Sequence, residues 1–460
     1  MNAAMLAWTP QFESAMRVME RLRAAGYEAY LAGGCVRDLL LGRAPKDFDV
    51  ATTATPDIVL SMFERTFAVG AHFGVVLVAS GDEDGYTTTE VATFRSDGAY
   101  SDGRHPDAVK YTTSAEEDVK RRDFTINGLL LDAQRAAGSF DNPAQLREAV
   151  IDFVGGLEDL QAGVIRAIGQ PEERFEEDHL RMLRAIRFAA RFEFDIEAAT
   201  KRALRSLAPK IAAVSRERVR DELTRMLTEG HARRAFELLD ETGLLAEVLP
   251  EVAHMKGVEQ PPQYHPEGDV WIHTLGLLGQ LEAGCSMTLA WGALLHDVGK
   301  PPTFRRAPDR IRFDGHVDVG MAIAAEILRR FRFSNEETRQ TLALVENHMR
   351  FADTERMKAS TLKRFFRLPA FDEHLALHRM DCLAGSGNLD HWKFTRERWL
   401  AMPEETVRPT PLLTGRDLIA EGYPPGPAFK RTLRAVEDAQ LEGTITTKEE
   451  ALRLAIELLT

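Results

Sequence analysis

The spacing of apolar residues predicts that the first part of the chain mixes helices with strands. Apolar side chains recur at helical spacing from Gln11 to Ala25, and Gly26 ends the amphipathic helix that this spacing predicts. Two short runs, at 74–79 and 86–94, have the composition of strands. Because helices and strands occur together here, we expect an α+β fold with a mixed sheet.

The pattern becomes helical beyond Phe175. In residues 176–194 the apolar side chains keep a spacing of three and four, which predicts one amphipathic helix. Another face of that helix would group Asp178, Arg181 and Arg184. The remainder of the chain is therefore expected to be all-α.

Length and one break in composition suggest the domain boundaries. A chain of 460 residues should hold about three domains by the usual size range. The run Gln260-Pro261-Pro262 marks a linker. We expect a mixed head, a helical neck and body, a second helical domain and a helical tail, at residues 1–158, 159–258, 259–388 and 389–460.

Composition narrows the class of protein. Hydrophobic residues make up 44% and charged residues 28% of the chain, as in an ordinary soluble protein. Residues 1–22 include charged side chains rather than an unbroken apolar run, so we expect no signal peptide and no membrane span, and predict a cytoplasmic protein. The three cysteines lack CxxC spacing, which argues against a disulfide framework or a zinc knuckle.

Charge is distributed unevenly along the chain. The formal net charge is -13, which is unfavourable for binding a polyanion. Between Arg181 and Arg234, however, there are 14 Lys and Arg against seven Asp and Glu. Such a segment can follow an RNA backbone by neutralising phosphates. A solvated helical face explains the same charges, and both interpretations stay open on charge alone.

One short stretch combines two features of a phosphate-handling site. Gly33 and Gly34 follow an apolar run and precede a predicted helix, where the missing Cβ lets backbone N–H groups approach a polyphosphate. Asp47 and Asp49 alternate along a strand predicted at 47–51, so their carboxylates share a face. Two adjacent carboxylates beside a phosphate cradle indicate a divalent metal site.

At these residues the sequence resembles a known family. GGCVRD, followed by DFDVAT, is similar to the first motif of the nucleotidyltransferase superfamily that includes DNA polymerase beta. More narrowly, it resembles the class II tRNA nucleotidyltransferases and bacterial poly(A) polymerases. The resemblance implies a polymerase-beta-like nucleotidyltransferase head in which Asp47 and Asp49 are catalytic and hold Mg²⁺. It also implies that Gly33, Gly34 and Arg37 bind nucleotide.

A second motif extends the resemblance. KRRDFTIN at 120–127 is similar to the family's second motif, and its guanidinium groups would hold triphosphate oxygens. The nucleotide-binding candidates here are Arg122, Asp123 and Asn127. Gly128 departs from the alanine that is usual in the family, which is a small change.

A third motif bears on the choice of base. EDHLR at 177–181 matches the family's EDxxR motif, which implies base reading by Asp178 and Arg181, with Arg184 as a candidate third member. A carboxylate accepts a hydrogen bond from the exocyclic amine of cytosine or adenine and is repelled by the carbonyl of uracil or guanine. A surface ion pair is the alternative interpretation.

Residues 95–111 predict a mobile loop, since they are rich in Gly, Asp and Arg with almost no aliphatic side chain to bury. The segment resembles the flexible loop that class II enzymes use to add the terminal adenosine. Family members restricted to cytidine addition tend to have this loop shortened, so its full length implies addition of adenosine.

Further metal-binding residue types follow the linker. Histidine and aspartate recur in the order H, HD, H, H, D on predicted helices, and imidazole with carboxylate suits a divalent metal. The pattern resembles the HD phosphohydrolase superfamily, which implies an HD domain at 259–388 that binds a divalent transition metal or Mg²⁺. The implied metal set is His273, His296, Asp297 and Asp381, while His316 and His348 would hold a second metal or a phosphate.

Together these patterns predict addition of CCA, or of its terminal A, to tRNA 3′ ends from CTP and ATP by two-metal nucleotidyl transfer, with an additional HD phosphohydrolase activity. Neither DNA nor a membrane is an expected partner. A poly(A) polymerase remains an alternative, although the acidic chain lacks a basic tail. A second-messenger synthetase and hydrolase and an RNA-binding module with dead sites are two others. The order of the domains argues against the former, and the intact acidic pairs argue against the latter.

Overall fold

The computed structural model describes residues 9–68, 74–82, 85–98, 109–140, 142–263 and 265–459. The chain divides into two compact units, residues 1–226 with 237–248 and residues 227–236 with 249–460. None of the helices in the described ranges is long and apolar enough to cross a membrane.

A mixed seven-stranded sheet lies at the centre of the first unit. The strands of this unit are β1 (Ala29–Ala32), β2 (Val50–Thr52), β3 (Thr66–Phe67), β4 (Val75–Asp82), β5 (Gly85–Thr93), β6 (Arg95–Asp97), β7 (Val109–Tyr111), β8 (Leu129–Leu131), β9 (Val150–Asp152), β10 (Val164–Ile165) and β11 (Asp195–Ile196). The sheet order is β3-β4-β5-β2-β1-β8-β9, in which only β2 and β5 are parallel neighbours. The other strands of the first unit form two separate two-stranded sheets, β6-β7 and β10-β11.

Helices surround and follow this sheet in the sequence. They are α1 (Pro10–Ala24), α2 (Gly34–Leu40), α3 (Pro56–Met62), α4 (Ala115–Lys120), α5 (Pro143–Leu146), α6 (Gly156–Ala162), α7 (Pro171–Glu177), α8 (Leu180–Phe192), α9 (Ala198–Leu207), α10 (Arg216–Thr228), α11 (Ala232–Glu241) and α12 (Leu244–Val248), with 3-10 turns at Thr125–Asn127, Arg147–Ala149 and Ala208–Ala213. The first helix shows how sequence sets such an element: the Thr9 hydroxyl accepts a hydrogen bond from Phe12 N at 3.2 Å, and Pro10 occupies the first turn.

The second unit is helical apart from a small hairpin of β12 (Arg305–Arg306) and β13 (Ile311–Arg312). Its helices are α13 (Pro250–Ala253), α14 (Val270–Leu278), α15 (Met287–Leu295), α16 (Lys300–Thr303), α17 (His316–Arg330), α18 (Asn335–Asn347), α19 (Ala359–Phe366), α20 (Phe371–Ala384), α21 (Asp390–Ala401), α22 (Glu404–Val407), α23 (Gly415–Ala420), α24 (Pro427–Glu442) and α25 (Lys448–Leu459), with a 3-10 helix at His348–Arg356. The predicted fold class, an α+β head followed by a helical region, is confirmed.

Two predicted elements have the wrong boundaries. The strand expected at 47–51 begins at Val50, and both candidate metal carboxylates lie just before it. The single helix expected at 176–194 is two helices, because the backbone of Asp178 is extended, with φ -147° and ψ 104°. The Asp178 carboxylate accepts a hydrogen bond from Leu180 N at 3.0 Å and so caps the new helix.

The loop expected at 95–111 is partly described. Its two ends pair as the antiparallel strands β6 and β7. Residues 99–108, on which most of the loop prediction rests, lie outside the described residues.

Candidate active site and metal centre

The turn at Gly33 is packed against Arg122, which belongs to the second motif at 120–127. Gly33 has φ +71°, and a Cβ at this position would lie 3.0 Å from Arg122 Nη1. A side chain would therefore be strained there and would also displace the guanidinium. Arg122 Nε is buried and has no hydrogen-bond partner among the described residues, so it can donate to a ligand.

The candidate metal carboxylates precede β2. Burial alternates along this segment: Asp47 is exposed, Phe48 is buried, Asp49 is half-buried and Val50 is buried. The parallel pairing of β2 with β5 places Val50 opposite Val91, and Glu90 therefore lies beside the aspartates.

These acids repel one another. Partial burial and the nearby carboxylates of Glu90 and Asp47 raise the pKa of Asp49 to about 7. A divalent cation would offset this repulsion, and carboxylate oxygens are the ligands that Mg²⁺ prefers. The residues present thus fit a divalent metal ion such as Mg²⁺.

Buried polar contacts connect the first two motifs. Arg37, which is 4% exposed, donates to Asp38 Oδ1 at 2.9 and 2.8 Å and also to Asn127 Oδ1. Asn127 Nδ2 donates to Asp123 Oδ1 at 3.0 Å, and Arg184 Nε donates to Asp123 Oδ2 at 2.9 Å. Although burial opposes ionisation, Arg184 and Asn127 lower the pKa of Asp123 to about 2.

The third motif forms contacts that the sequence did not indicate. Asp178 accepts hydrogen bonds from Arg218 Nη1 at 3.2 Å and Nη2 at 2.7 Å, whereas Arg181 forms an ion pair with Glu177. The expectation that Asp178 and Arg181 share one helix is wrong, because the chain turns at Asp178. Arg218 lies 40 residues away on α10, and no local spacing could have identified it.

One cleft of about 510 Å³ brings the predicted nucleotide-binding residues together, a volume within the range of nucleotide-sized ligand sites. Asp49 also lines this cleft, and so do side chains that the sequence analysis did not assign, among them Arg121, Phe188 and Arg218. The predicted residues in its wall are Gly33, Gly34, Arg37, Arg122, Asp123, Asn127, Asp178, Arg181 and Arg184.

The second unit brings the candidate metal ligands together as two triads. In each triad the ligand atoms lie within 4.8 Å of one another. The triads are His273, His296 and Asp381, and Asp297, His316 and His348. His296 Nε2 lies 3.1 Å from Asp297 Oδ2, so the triads adjoin.

Carbonyl groups orient three of these imidazoles. The Nδ1 atoms of His296, His316 and His348 lie 2.9, 3.0 and 2.7 Å from the carbonyl oxygens of Ala293, Phe313 and Val345. Since a carbonyl only accepts, each Nδ1 carries the proton and each Nε2 is left with a lone pair. The buried Nε2 atoms of His316 and His348 have no hydrogen-bond partner among the described residues. Burial also lowers the pKa of His348 to about 4, so this imidazole stays neutral. The donor set therefore fits a divalent metal.

Three residues around these triads were not predicted, namely His265, Glu267 and Lys300. Glu267 Oε1 lies 2.6 Å from His273 Nδ1 and 2.9 Å from His265 Nδ1. Lys300 Nζ lies 2.7 Å from Asp297 Oδ2. Their only sequence signal is proximity to the linker and to the HD pair.

The chain matches three family models. The model described as Poly A polymerase head domain matches residues 29–166, and the one described as Probable RNA and SrmB- binding site of polymerase A matches 193–256. The model described as tRNA nucleotidyltransferase domain 2 putative matches residues 316–456.

Similar proteins match most or half of the chain. A CCA-adding enzyme from Leuconostoc mesenteroides is 32% identical over 443 residues, which is 96% of this chain and 95% of the relative. One from Geobacillus thermodenitrificans is 42% identical over 244 residues, 53% of this chain and 56% of the relative. The crystal structure of the Bacillus stearothermophilus CCA-adding enzyme in complex with CTP has a TM-score of 0.72 at 28% identity and covers 98% of both chains.

The sheet, the cleft and these matches define a nucleotidyltransferase built on a poly(A) polymerase head. The resemblance of the first motifs to the class II tRNA nucleotidyltransferases is confirmed. Because the Leuconostoc relative is more than 30% identical over nearly the whole chain, this chain belongs to the family of CCA-adding enzymes.

Proposed function

We propose that this protein adds CCA, or its terminal A, to tRNA 3′ ends from CTP and ATP. The observation that carries the proposal is the single cleft in which a glycine turn, an aspartate beside two further acids, and several arginines converge. The names of the relatives and the CTP complex of the Bacillus enzyme support the same substrates.

In the proposed mechanism, Asp47 and Asp49 would hold two Mg²⁺ ions. Bound Mg²⁺ would lower the pKa of the tRNA 3′ hydroxyl and neutralise charge on the triphosphate and the departing pyrophosphate. Arg122 donates to triphosphate oxygens, and Gly33 lets backbone approach them. No side chain with the role of a general base is assigned.

Base selection is assigned to Asp178 and Arg181. The Asp178 carboxylate would accept from the exocyclic amine of cytosine or adenine, and Arg181 would donate to the neighbouring ring nitrogen. In the described structure Arg218 and Leu180 N already hold this carboxylate in place.

Purified protein tests this proposal directly. It is incubated with tRNA lacking CCA, with tRNA ending in CC, and with each labelled nucleoside triphosphate singly. We expect C addition to the first tRNA and A addition to the second, and Asp49→Ala should abolish both while tRNA binding stays nearly intact. Incorporation by Asp49→Ala at a near wild-type rate would exclude the carboxylate assignment, and long A tracts on any RNA would favour a poly(A) polymerase.

We further propose that the second unit is an HD metal centre with phosphohydrolase activity. Six predicted ligands meet within two adjoining triads, and Asp297, His316, His348 and Asp381 line a cavity of about 540 Å³ that would admit a phosphate ester. Residues 259–388 would form this domain, between the neck and body at 159–258 and the tail at 389–460.

Hydrolysis assays test the HD proposal. Nucleotide and cyclic phosphate substrates are incubated with the protein and Mg²⁺, Mn²⁺, Ni²⁺ or Co²⁺. We expect hydrolysis with at least one metal and its loss in Asp297→Ala. Absence of hydrolysis with all four metals would rule out the activity.

A further inference from the structure

One buried carboxylate holds both arginines of the second motif. Asp118, on α4, is 1% exposed. Its Oδ1 accepts from Arg121 Nε at 2.9 Å and Nη2 at 2.7 Å, and its Oδ2 accepts from Arg122 Nη2 at 3.0 Å. Both arginines line the nucleotide cleft.

The same carboxylate also holds a third element of the head. Arg95 N, at the start of β6, donates to Asp118 Oδ1 at 3.3 Å. Asp118 therefore joins α4, the adjacent arginines and the first residue of β6. Because this buried carboxylate accepts from four N–H groups of three residues, its position is closely defined.

The contact directs the remaining donors of Arg122. Nη2 faces Asp118, whereas Nη1 faces the Gly33 turn at the position where a Cβ would lie 3.0 Å away. A guanidinium is planar, so an acceptor that fixes one edge also fixes the direction of the other N–H groups.

We propose that Asp118 is a positioning residue for nucleotidyl transfer, which holds Arg121 and Arg122 in the orientation that binds the triphosphate of the incoming nucleotide. This inference rests on the proposed function, in which Arg122 donates to triphosphate oxygens, and extends it to the adjacent Arg121. Asp118 itself does not line the cleft.

A purely structural role makes a different prediction. A buried carboxylate paired with arginines often affects folding alone, and its removal then lowers stability without regard to the ligand. A positioning role instead affects ligands that carry the triphosphate. CTP and CMP share base and sugar, so the ratio of their affinities isolates this part of the binding.

The experiment measures the affinity of the full chain for CTP and for CMP, with Mg²⁺, in wild type and in Asp118→Asn. We expect CTP affinity to fall about tenfold, the effect of one misaligned charge-assisted hydrogen bond, while CMP affinity is unchanged. Asp118→Glu keeps the buried charge but moves the carboxylate by one methylene, so it should also lower the ratio of CTP affinity to CMP affinity. This variant replaces Asp118→Asn in the experiment if the asparagine variant does not fold.

Glu116→Gln is the matched control. Glu116 lies on the same helix and forms an exposed pair with Lys120 at 2.6 Å, so its replacement should leave both affinities unchanged. Arg122→Ala distinguishes a failure of the positioning role of Asp118 from a failure of the assignment of the arginines to the triphosphate. If Arg122→Ala lowers the CTP to CMP ratio and the folded Asp118 variants do not, the positioning role is overturned and the proposed function stands. If Arg122→Ala also leaves the ratio unchanged, the assignment of the arginines to the triphosphate fails, and the inference fails with it.

Discussion

Asp178 is the residue to which we assign the choice of nucleotide in the proposed function. A carboxylate offers about four lone-pair positions, and the contacts from Leu180 N and the two Arg218 nitrogens use three of them. One position remains for an exocyclic amine, and the ion pair fixes where it points. The ion pair with Arg218 thus restrains the Asp178 carboxylate and still leaves it able to accept one more hydrogen bond.

We expect Asp178→Ala to relax the selection of C and A over U and G. Each lost base contact should reduce discrimination by roughly 1 to 3 kcal/mol. Single-turnover incorporation of CTP, ATP, UTP and GTP measures the ratios. Asp221→Ala, which removes an exposed carboxylate on α10, is the control. Unchanged ratios in Asp178→Ala would leave this residue with a structural role only.

A second prediction at the residue scale concerns Glu267 and the affinity of the second unit for metal. The Glu267 carboxylate accepts from His273 Nδ1, which leaves Nε2 directed toward Asp381 at 3.0 Å. Loss of such an outer contact typically lowers metal affinity by about 10- to 100-fold. We expect Glu267→Gln to weaken Ni²⁺ or Mn²⁺ binding within this range, as measured by calorimetry. Glu259→Gln, on the same segment but exposed and paired with Arg306, should bind metal as wild type does.

Residues that lie close together in the sequence could be predicted, and their distant partners could not. Gly33, Asp49 and Asn127 belong to short motifs whose spacing already indicates chemistry. Arg218 belongs to no motif, because an ion pair formed across 40 residues leaves no periodic signal. Glu267 lies only six residues from His273, but it stands outside the pattern of histidine and aspartate that marks the metal ligands. Their roles follow only from the fold.

Gly128 is a residue within a motif whose identity only the packing of the fold explains. It departs from the usual alanine of the family, and the sequence gives no reason. In the structure a Cβ at Gly128 would lie 2.8 Å from Val154 Cγ2 and 3.1 Å from Val119 Cγ1. These side chains fill the space that a methyl group would need, so an alanine at this position would require one of them to move.

At the scale of elements, helical periodicity correctly predicts that residues 176–194 are mainly helical, but it does not predict where one helix ends and the next begins. The apolar stripe of residues 176–194 lies after Asp178, at Leu180, Leu183, Ile186 and Phe188, and the pattern shows no break before it, so it predicts one helix. The interruption depends on a single side chain that caps α8 through Leu180 N, a contact that competes with the regular backbone ladder. Aspartate occurs in both settings, so its identity did not separate them.

Gly299 determines how closely α17 approaches the HD pair. A Cβ there would lie 2.0 Å from the His316 carbonyl oxygen and 2.5 Å from Gly320 N, and backbone atoms cannot move aside cheaply. We expect Gly299→Ala to displace the start of α17, to destabilise the protein by about 1 to 3 kcal/mol and to weaken metal binding. Denaturant unfolding and metal calorimetry measure the two effects. Gly279→Ala, where a Cβ would meet atoms no closer than 3.4 Å, is the control and should change neither.

At the scale of the whole molecule, net charge describes the chain poorly. The total is -13, yet the nucleotide cleft is lined by Arg37, Arg121, Arg122 and further arginines. Several of them are paired with buried or half-buried carboxylates, such as Asp118 and Asp123. The acidic side chains therefore partly serve to hold the basic ones, and the sign of the total does not exclude an RNA substrate.

The last prediction concerns the independence of the two sites. The nucleotide-binding candidates all belong to the first compact unit, and the six HD ligands all belong to the second. Since no residue is shared between the two sets, Asp297→Ala should remove metal-dependent hydrolysis and leave nucleotide incorporation close to wild type. Asp49→Ala should have the reverse effect. Both activities are measured on each variant, with circular dichroism to verify the fold. A folded Asp297→Ala protein that had lost incorporation would show that the sites are coupled.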